Sequence, residues 1–314
     1  MLPLKNNEIF GNWATVLLPL QKDDSINYSM LAAQVDLLIA SGVNGIYSNG
    51  TAGEFYSQTA YEFERISEIL AEKCTNAEMP FQIGCSHTSP NISLERVKRV
   101  KHLKPGAIQL ILPDWYRPSI EESIYFLKLI SDIIAPVGIV LYNPGHAKRK
   151  LLPGDYETLL NADINLVGCK TTGGDDEWYH QMNNIKSKLS VFVPGHKLAT
   201  GICKGAQGAY SNVSCLNPKA AQHWYGLMLE NMDAALQLQQ RIQHFIFNHI
   251  LPYITTRQYS DQAADKFMAA VGGWTNISTH LKWPYHSIAE TDVLPVRKIC
   301  EQILPEFFNM PAGS

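Results

Sequence analysis

The sequence predicts an α/β protein built as a (β/α)8 (TIM) barrel with a C-terminal helical extension, on three observations. Short apolar, β-branched runs recur eight times over the first two thirds of the chain, each ending near Gly, Asn, Pro or Ser. Each run is followed by a longer stretch with helical spacing. Strands buried on both faces by crossover helices read as continuous apolar runs, and residues 109–112 and 137–141 fit that pattern better than strict alternation. Periodicity alone does not separate a barrel from a doubly wound open sheet; the count of eight favours the barrel.

The elements follow in order. Strands are expected at residues 13–20, 43–48, 81–85, 107–112, 137–142, 164–170, 190–194 and 208–213. A helix is expected at 28–40, where Leu31, Val35, Leu38 and Ile39 share a face. Another at 59–73 aligns Phe63, Ile66, Ile69 and Leu70. A third, at 119–134, follows Pro118 and opens with Glu121 and Glu122, charges that suit the positive end of a helix. From Asn217 the strand signal stops. Trp224, Leu227, Met228, Leu236, Ile242, Phe245 and Ile246 keep helical spacing, punctuated by Pro252, Gly272, Gly273 and Pro284. Residues 1–216 are therefore expected to form the barrel, and 217–314 a helical appendage packed on it.

Composition narrows the function classes. At about 150 residues per domain, 314 residues make two domains or one large barrel with an appendage. An apolar share of 46% excludes a disordered chain, and a net charge of −3 argues against a general nucleic-acid binder. No apolar run approaches the ~18 residues of a membrane span, and residues 1–10 lack the apolar core of a secretory signal. Cys74, Cys85, Cys169, Cys203, Cys215 and Cys300 are scattered without CxxC pairing, so buried thiols and a cytoplasmic location are expected. There is no GxxxxGK(S/T), HExxH, GxSxG or helix-opening GxGxxG, and no histidine pair at metal-ligand spacing with a nearby carboxylate. The expectation is chemistry by side chains, with no metal and no cofactor.

Barrel enzymes place reactive groups where strands end. Lys170 closes the apolar run 164–170, Tyr142 closes 137–142, and the second strand runs into Gly50-Thr51-Ala52-Gly53-Glu54. A lysine at such a strand end is either desolvated into a neutral amine able to attack a ketone, or reaches past the strand to solvent or a carboxylate. Tyr142 is either a proton relay or a packed aromatic. The glycine turn either offers free N–H groups to a carboxylate or is an ordinary connection.

Taken together and in order, these segments resemble the dihydrodipicolinate synthase/N-acetylneuraminate lyase family of pyruvate-handling class I aldolases. The likeness rests on 50–54 (pattern G-x-x-G-E), on Tyr142-Asn143 with Pro144, and on Val167-Gly168-Cys169-Lys170 with the Thr-Thr-Gly-Gly-Asp that follows. It implies a homotetramer, a dimer of dimers, of (β/α)8 barrels. Lys170 would form a Schiff base with a 2-oxo acid, and Tyr142 would shuttle the proton. The substrate carboxylate would sit on the N–H groups of Thr51 and Ala52, the Thr51 hydroxyl in reach, and Tyr210 would supply the strand-eight carbonyl contact.

Departures from the family pattern restrict the substrate. Trp115 stands in Pro113-Asp114-Trp115-Tyr116 where synthases carry a relaying tyrosine, and an indole cannot relay a proton as a phenol can. It would line the mouth of the site or pack on the rim. His146 lies near the position of the arginine that takes an aldehyde's carboxylate, and Ala52 replaces a hydroxylated residue. The run Lys148-Arg149-Lys150 is either an anion site or a solvated loop. Glu54 is expected to be structural, and Cys169 to face away from Lys170. The expected function is aldol cleavage or condensation, or dehydration, of a 2-oxo acid through Lys170, with an aldehyde as a second substrate. The alternatives are a true 4-hydroxy-tetrahydrodipicolinate synthase, acting on pyruvate and aspartate semialdehyde, or a non-catalytic 2-oxo acid binder.

Overall fold

A computed structural model describes residues 1–309. Eight parallel strands close into a barrel in sequence order. They are β1 (Gly11–Thr15), β2 (Gly45–Ser48), β3 (Phe81–Gly84), β4 (Ala107–Leu110), β5 (Gly138–Tyr142), β6 (Leu166–Lys170), β7 (Ser190–Pro194) and β8 (Gly208–Tyr210). Closure pairs Gly11 with Gly208 and Trp13 with Tyr210. The connecting helices are α1 (Tyr28–Ala40), α2 (Ala60–Asn76), α3 (Pro90–Val100), α4 (Ile120–Ile134), α5 (Pro153–Leu160), α6 (Asp176–Asn183), α7 (Leu198–Cys203) and α8 (Asn212–Leu216).

Local chemistry sets the helix starts. Thr59 and Ser119 close reciprocal capping boxes with Glu62 and Glu122 at the heads of α2 and α4, satisfying N–H groups that the first turn leaves open. Seven of the eight expected strands are shorter than the sequence suggests, the first and the last most of all. Past Thr15 the chain leaves the sheet, and the Leu17 N–H donates to the Gln34 side chain at 2.8 Å. Leu17 and Leu18 are apolar because they are buried off the barrel's end. At the last strand the Ser211 side chain accepts from the Ser214 N–H and starts α8, so Val213 is helical.

The barrel interior is filled by Trp13, Tyr47, Val140, Val167, Phe192 and Tyr210. The Tyr210 ring lies 4.7 Å from Phe192 and 4.9 Å from Tyr47. Gly45 makes room for this aromatic layer: a Cβ there would come within 2.5 Å of the Trp13 ring.

The remaining chain is helical: α9 (Pro218–Glu230), α10 (Met232–Phe245), α11 (Leu251–Thr255), α12 (Asp261–Gly272) and α13 (Val293–Ile303). One π turn, Ile246–Ile250, joins α10 to α11 just ahead of Pro252, which has no N–H to continue an α pattern. Among the described residues no helix is long and apolar enough to cross a membrane. Cys203 departs from the expectation of buried thiols: it is exposed at the end of α7, while the other five cysteines are buried.

Candidate active site

Lys170 and Tyr142 are the last residues of adjacent strands and are register partners. That partnership depends on an irregularity: Ile139 pairs with Leu166 but Val140 pairs with Gly168, so β6 carries one extra residue. Without it Tyr142 would face Cys169; with it, Lys170 stands beside Tyr142 and both point inward. Cys169 packs outside the barrel beside Ile139 and Leu141, as alternation along the strand requires.

The Lys170 Nζ sits 4.2 Å from the Tyr142 ring centre, 5.2 Å from that of Tyr47 and 5.5 Å from that of Tyr210. Burial among these rings lowers the amine from its ordinary value to about 8, against the opposing pull of the Asp265 carboxylate. Burial likewise raises the Tyr142 phenol to about 12, tempered by a hydrogen bond with the Thr51 side chain. Tyr142 therefore holds its proton, and the Thr51 hydroxyl extends the chain along which it can move. The three rings offer their negative faces to any cation formed at Nζ, whether ammonium or protonated imine.

These groups open onto a cavity of about 360 Å³ at the C-terminal mouth of the barrel. Thr51 and Ala52 line it from the loop after β2, and Tyr142, Lys170 and Tyr210 line it from their strands. His146 reaches its edge from the loop after β5. The backbone N–H groups of Thr51 and Ala52 donate to nothing else among the described residues. Gly53 lets this turn lie close to β1: a Cβ would come 3.1 Å from the Val16 carbonyl oxygen. Tyr210 is fixed from below, its hydroxyl donating to Gln82 Oε1 at 2.7 Å.

Two expected contributors stand elsewhere. Trp115 lines no part of the cavity; its side chain is 89% exposed on the proline-flanked loop after β4, so in a single chain it is neither at the mouth nor packed on the rim. None of Lys148, Arg149 and Lys150 lines this cavity, though Arg149 lines a smaller pocket that shares Thr51, Tyr142, Pro144 and His146 with it. Arg149 is engaged with Asp155 at 3.1 Å and with the Pro118 carbonyl at 3.2 Å, and the two lysines are exposed.

Sequence reasoning missed four groups in the cavity wall: Tyr47, His196, Asp261 and Asp265. Burial, with Lys197 nearby, lowers His196 to about 4, so its ring is neutral, and its Nδ1 meets the Asn212 amide at 3.1 Å. Glu54 is no cavity group. It is fully buried, ion-paired with Lys266 of α12, and accepts from the Lys282 N–H at 2.8 Å. No cluster of three or more metal-ligating side chains occurs among the described residues.

A closed parallel barrel with a partly buried lysine beside a phenol at its C-terminal mouth has the make-up of a barrel enzyme, with Lys170 as its candidate nucleophile. The chain belongs to the dihydrodipicolinate synthetase family, whose model matches residues 9–302, and members of that family are class I lyases. It is 27% identical over 236 residues to a 4-hydroxy-tetrahydrodipicolinate synthase of Ruthia magnifica, covering 72% of this chain and 76% of that one. It is 25% identical over 239 residues to an N-acetylneuraminate lyase of Escherichia fergusonii, covering 74% and 77%. A crystal structure of an E. coli K12 prophage protein of this family, in complex with pyruvate, superposes with a TM-score of 0.81 at 20% identity, covering 94% of this chain and 98% of that one.

Proposed function

We propose that this protein is a Schiff-base aldolase of a 2-oxo acid, with Lys170 as the amine that bonds to substrate. The observation that carries the reading is the Lys170 Nζ, lowered to about 8 and reaching a cavity lined by Tyr142 and the open turn at Thr51 and Ala52. The neutral amine attacks the C2 carbonyl, and water leaves as the imine forms. The acid's carboxylate rests on the Thr51 and Ala52 N–H groups. In the cleavage direction the C4 hydroxyl gives up its proton, the C3–C4 bond breaks and an aldehyde departs. The electron pair of that bond passes into the protonated imine, giving an enamine. Protonation at C3 and hydrolysis return pyruvate and the free amine. Tyr142, coupled to Thr51, carries the protons between these positions. His146 sits where the departing aldehyde would pass.

Borohydride added to protein and pyruvate should leave one covalent adduct, located on Lys170 by peptide mass mapping and absent from Lys170→Ala. An adduct that persists in Lys170→Ala overturns the assignment. An adduct with no turnover of any aldehyde or 2-oxo-3-deoxy acid would favour a binding protein.

The assembly proposed with this function is a homotetramer. The exposed side chains of Trp115 and Tyr116 on the loop before α4, of Tyr125 on α4 and of Leu152 at the head of α5 would be covered by a second copy. The unpaired cysteines suit a reducing, cytoplasmic setting.

A further inference from the structure

One wall of the cavity is not made by the barrel. α12 lays Asp261, Ala264, Asp265 and Met268 along it, four residues on a single helical face. The Asp265 side chain lines the cavity and is half-buried there: burial and the nearby Asp261 raise its carboxyl to about 7, against the pull of Lys170. Its charge is felt by Lys170, Tyr47, Tyr142 and Cys215. Among the described residues the Asp265 carboxyl makes no hydrogen bond and no ion pair. A half-buried carboxylate without a donor from the protein is costly, and a ligand that brings a donor relieves the cost.

The α12 face of the cavity carries no cationic side chain. Lys170 is the one lysine or arginine among the cavity residues. His196 is neutral, and Arg149, paired with Asp155, borders a smaller adjoining pocket on the side of Thr51 and Tyr142, not the α12 wall. The placement of Asp265 is built in, because the next residue, Lys266, is buried and ion-paired with Glu54 of the glycine turn.

We propose that Asp265 is a specificity-determining residue: it accepts a hydrogen bond from the part of the substrate beyond the 2-oxo acid group, which therefore ends in a hydroxyl rather than a second carboxylate. This rests on the Schiff-base reading and narrows its substrate class. A substrate carboxylate brought against Asp265 meets a like charge, with no lysine or arginine among the cavity residues to offset it beyond the Lys170 already bonded to substrate.

The test compares two 2-oxo-3-deoxy acids of equal length, one ending in hydroxymethyl and one in carboxylate. Pyruvate release is followed at pH 8, above the Asp265 value of about 7. Each rate is divided by the fraction of protein that borohydride traps on Lys170 with pyruvate, so misfolded chains are not counted. The wild-type protein should favour the hydroxymethyl acid by about 100-fold in kcat/KM, and Asp265→Asn should reduce that preference to about tenfold or less. A wild-type enzyme that handles the carboxylate acid equally well, or a preference unchanged by Asp265→Asn, overturns the proposal. Failure of wild-type trapping is a different result and removes the Schiff-base reading beneath it.

Discussion

At the residue scale, the property that makes Lys170 a nucleophile also makes it a burden on the fold. Burial lowers its amine from 10.5 to about 8. In the unfolded chain the amine keeps its proton up to ~10.4, so between pH 8 and 10 the unfolded state binds more protons than the folded one. Stability from this group therefore rises with pH across that window, and below pH 8 the folded protein carries the full cost, of order 3 kcal/mol. Lys170→Met, similar in length and uncharged, should raise Tm at pH 7 by several degrees, the gain shrinking toward pH 10, while pyruvate trapping disappears. A Tm at pH 7 equal to or below that of the wild type would mean that the ammonium is well solvated. Tyr142→Phe makes the complementary test, since it keeps the ring over Nζ and removes the hydroxyl that pairs with Thr51. Steady-state kinetics should show kcat falling by roughly 10²–10⁴, and a loss below tenfold would take proton transfer away from Tyr142.

At the element scale, the glycine turn after β2 and α12 are joined by one buried ion pair, Glu54 with Lys266, both side chains fully out of solvent. Removing one partner strands a charge, so Glu54→Gln should cost about 3–5 kcal/mol in chemical denaturation. The double replacement Glu54→Leu with Lys266→Met should recover most of that loss, because a buried pair exchanged for apolar groups is often neutral. A double variant as unstable as the single one would place the cost in packing instead of charge. What could be read in advance followed the range of the signal. The helix at 28–40 and the strand at 190–194 lie where periodicity put them, because local spacing suffices for both. The strand at 13–20 was read too long, since Leu17 is apolar for a core that forms only when α9–α13 pack against the barrel. Lys170, Tyr142 and Thr51 could be named because they end apolar runs or sit between glycines. Asp265 could not. An aspartate one helical turn after Asp261 reads as a solvated stripe, and only the packing of α12 over the mouth turns it inward.

At the scale of the whole molecule, barrel and appendage share a core. A single apolar cluster runs from Leu17, Ala52, Val193 and Ala209 of the barrel to Trp224, Phe245, Phe267 and Cys300 of the later helices. We infer that residues 217–314, of which 310–314 lie outside the described residues, do not fold or function as a separable domain. A chain ending at residue 216 would lose the cavity wall of α12 and the partner of Glu54, and would expose that cluster. It should aggregate or bind hydrophobic dyes, whereas the full chain should unfold in one transition followed alike by fluorescence and circular dichroism. A soluble truncated barrel with a cooperative transition would refute this. The outer surface makes the opposite demand. Trp115 and Tyr116 are 89% and 84% exposed, and Tyr125 on α4 is 77% exposed. Exposed aromatic side chains of this size are costly on a free monomer and typical of the buried centre of a contact between copies. Light scattering on the purified protein should give four times the chain mass, and Trp115→Glu with Tyr125→Glu should lower it. These positions lie outside the cavity, so a drop in kcat/KM that tracks dissociation would show that assembly holds the mouth of the barrel in shape. A wild-type protein that scatters as a single chain would instead leave that aromatic surface needing another partner.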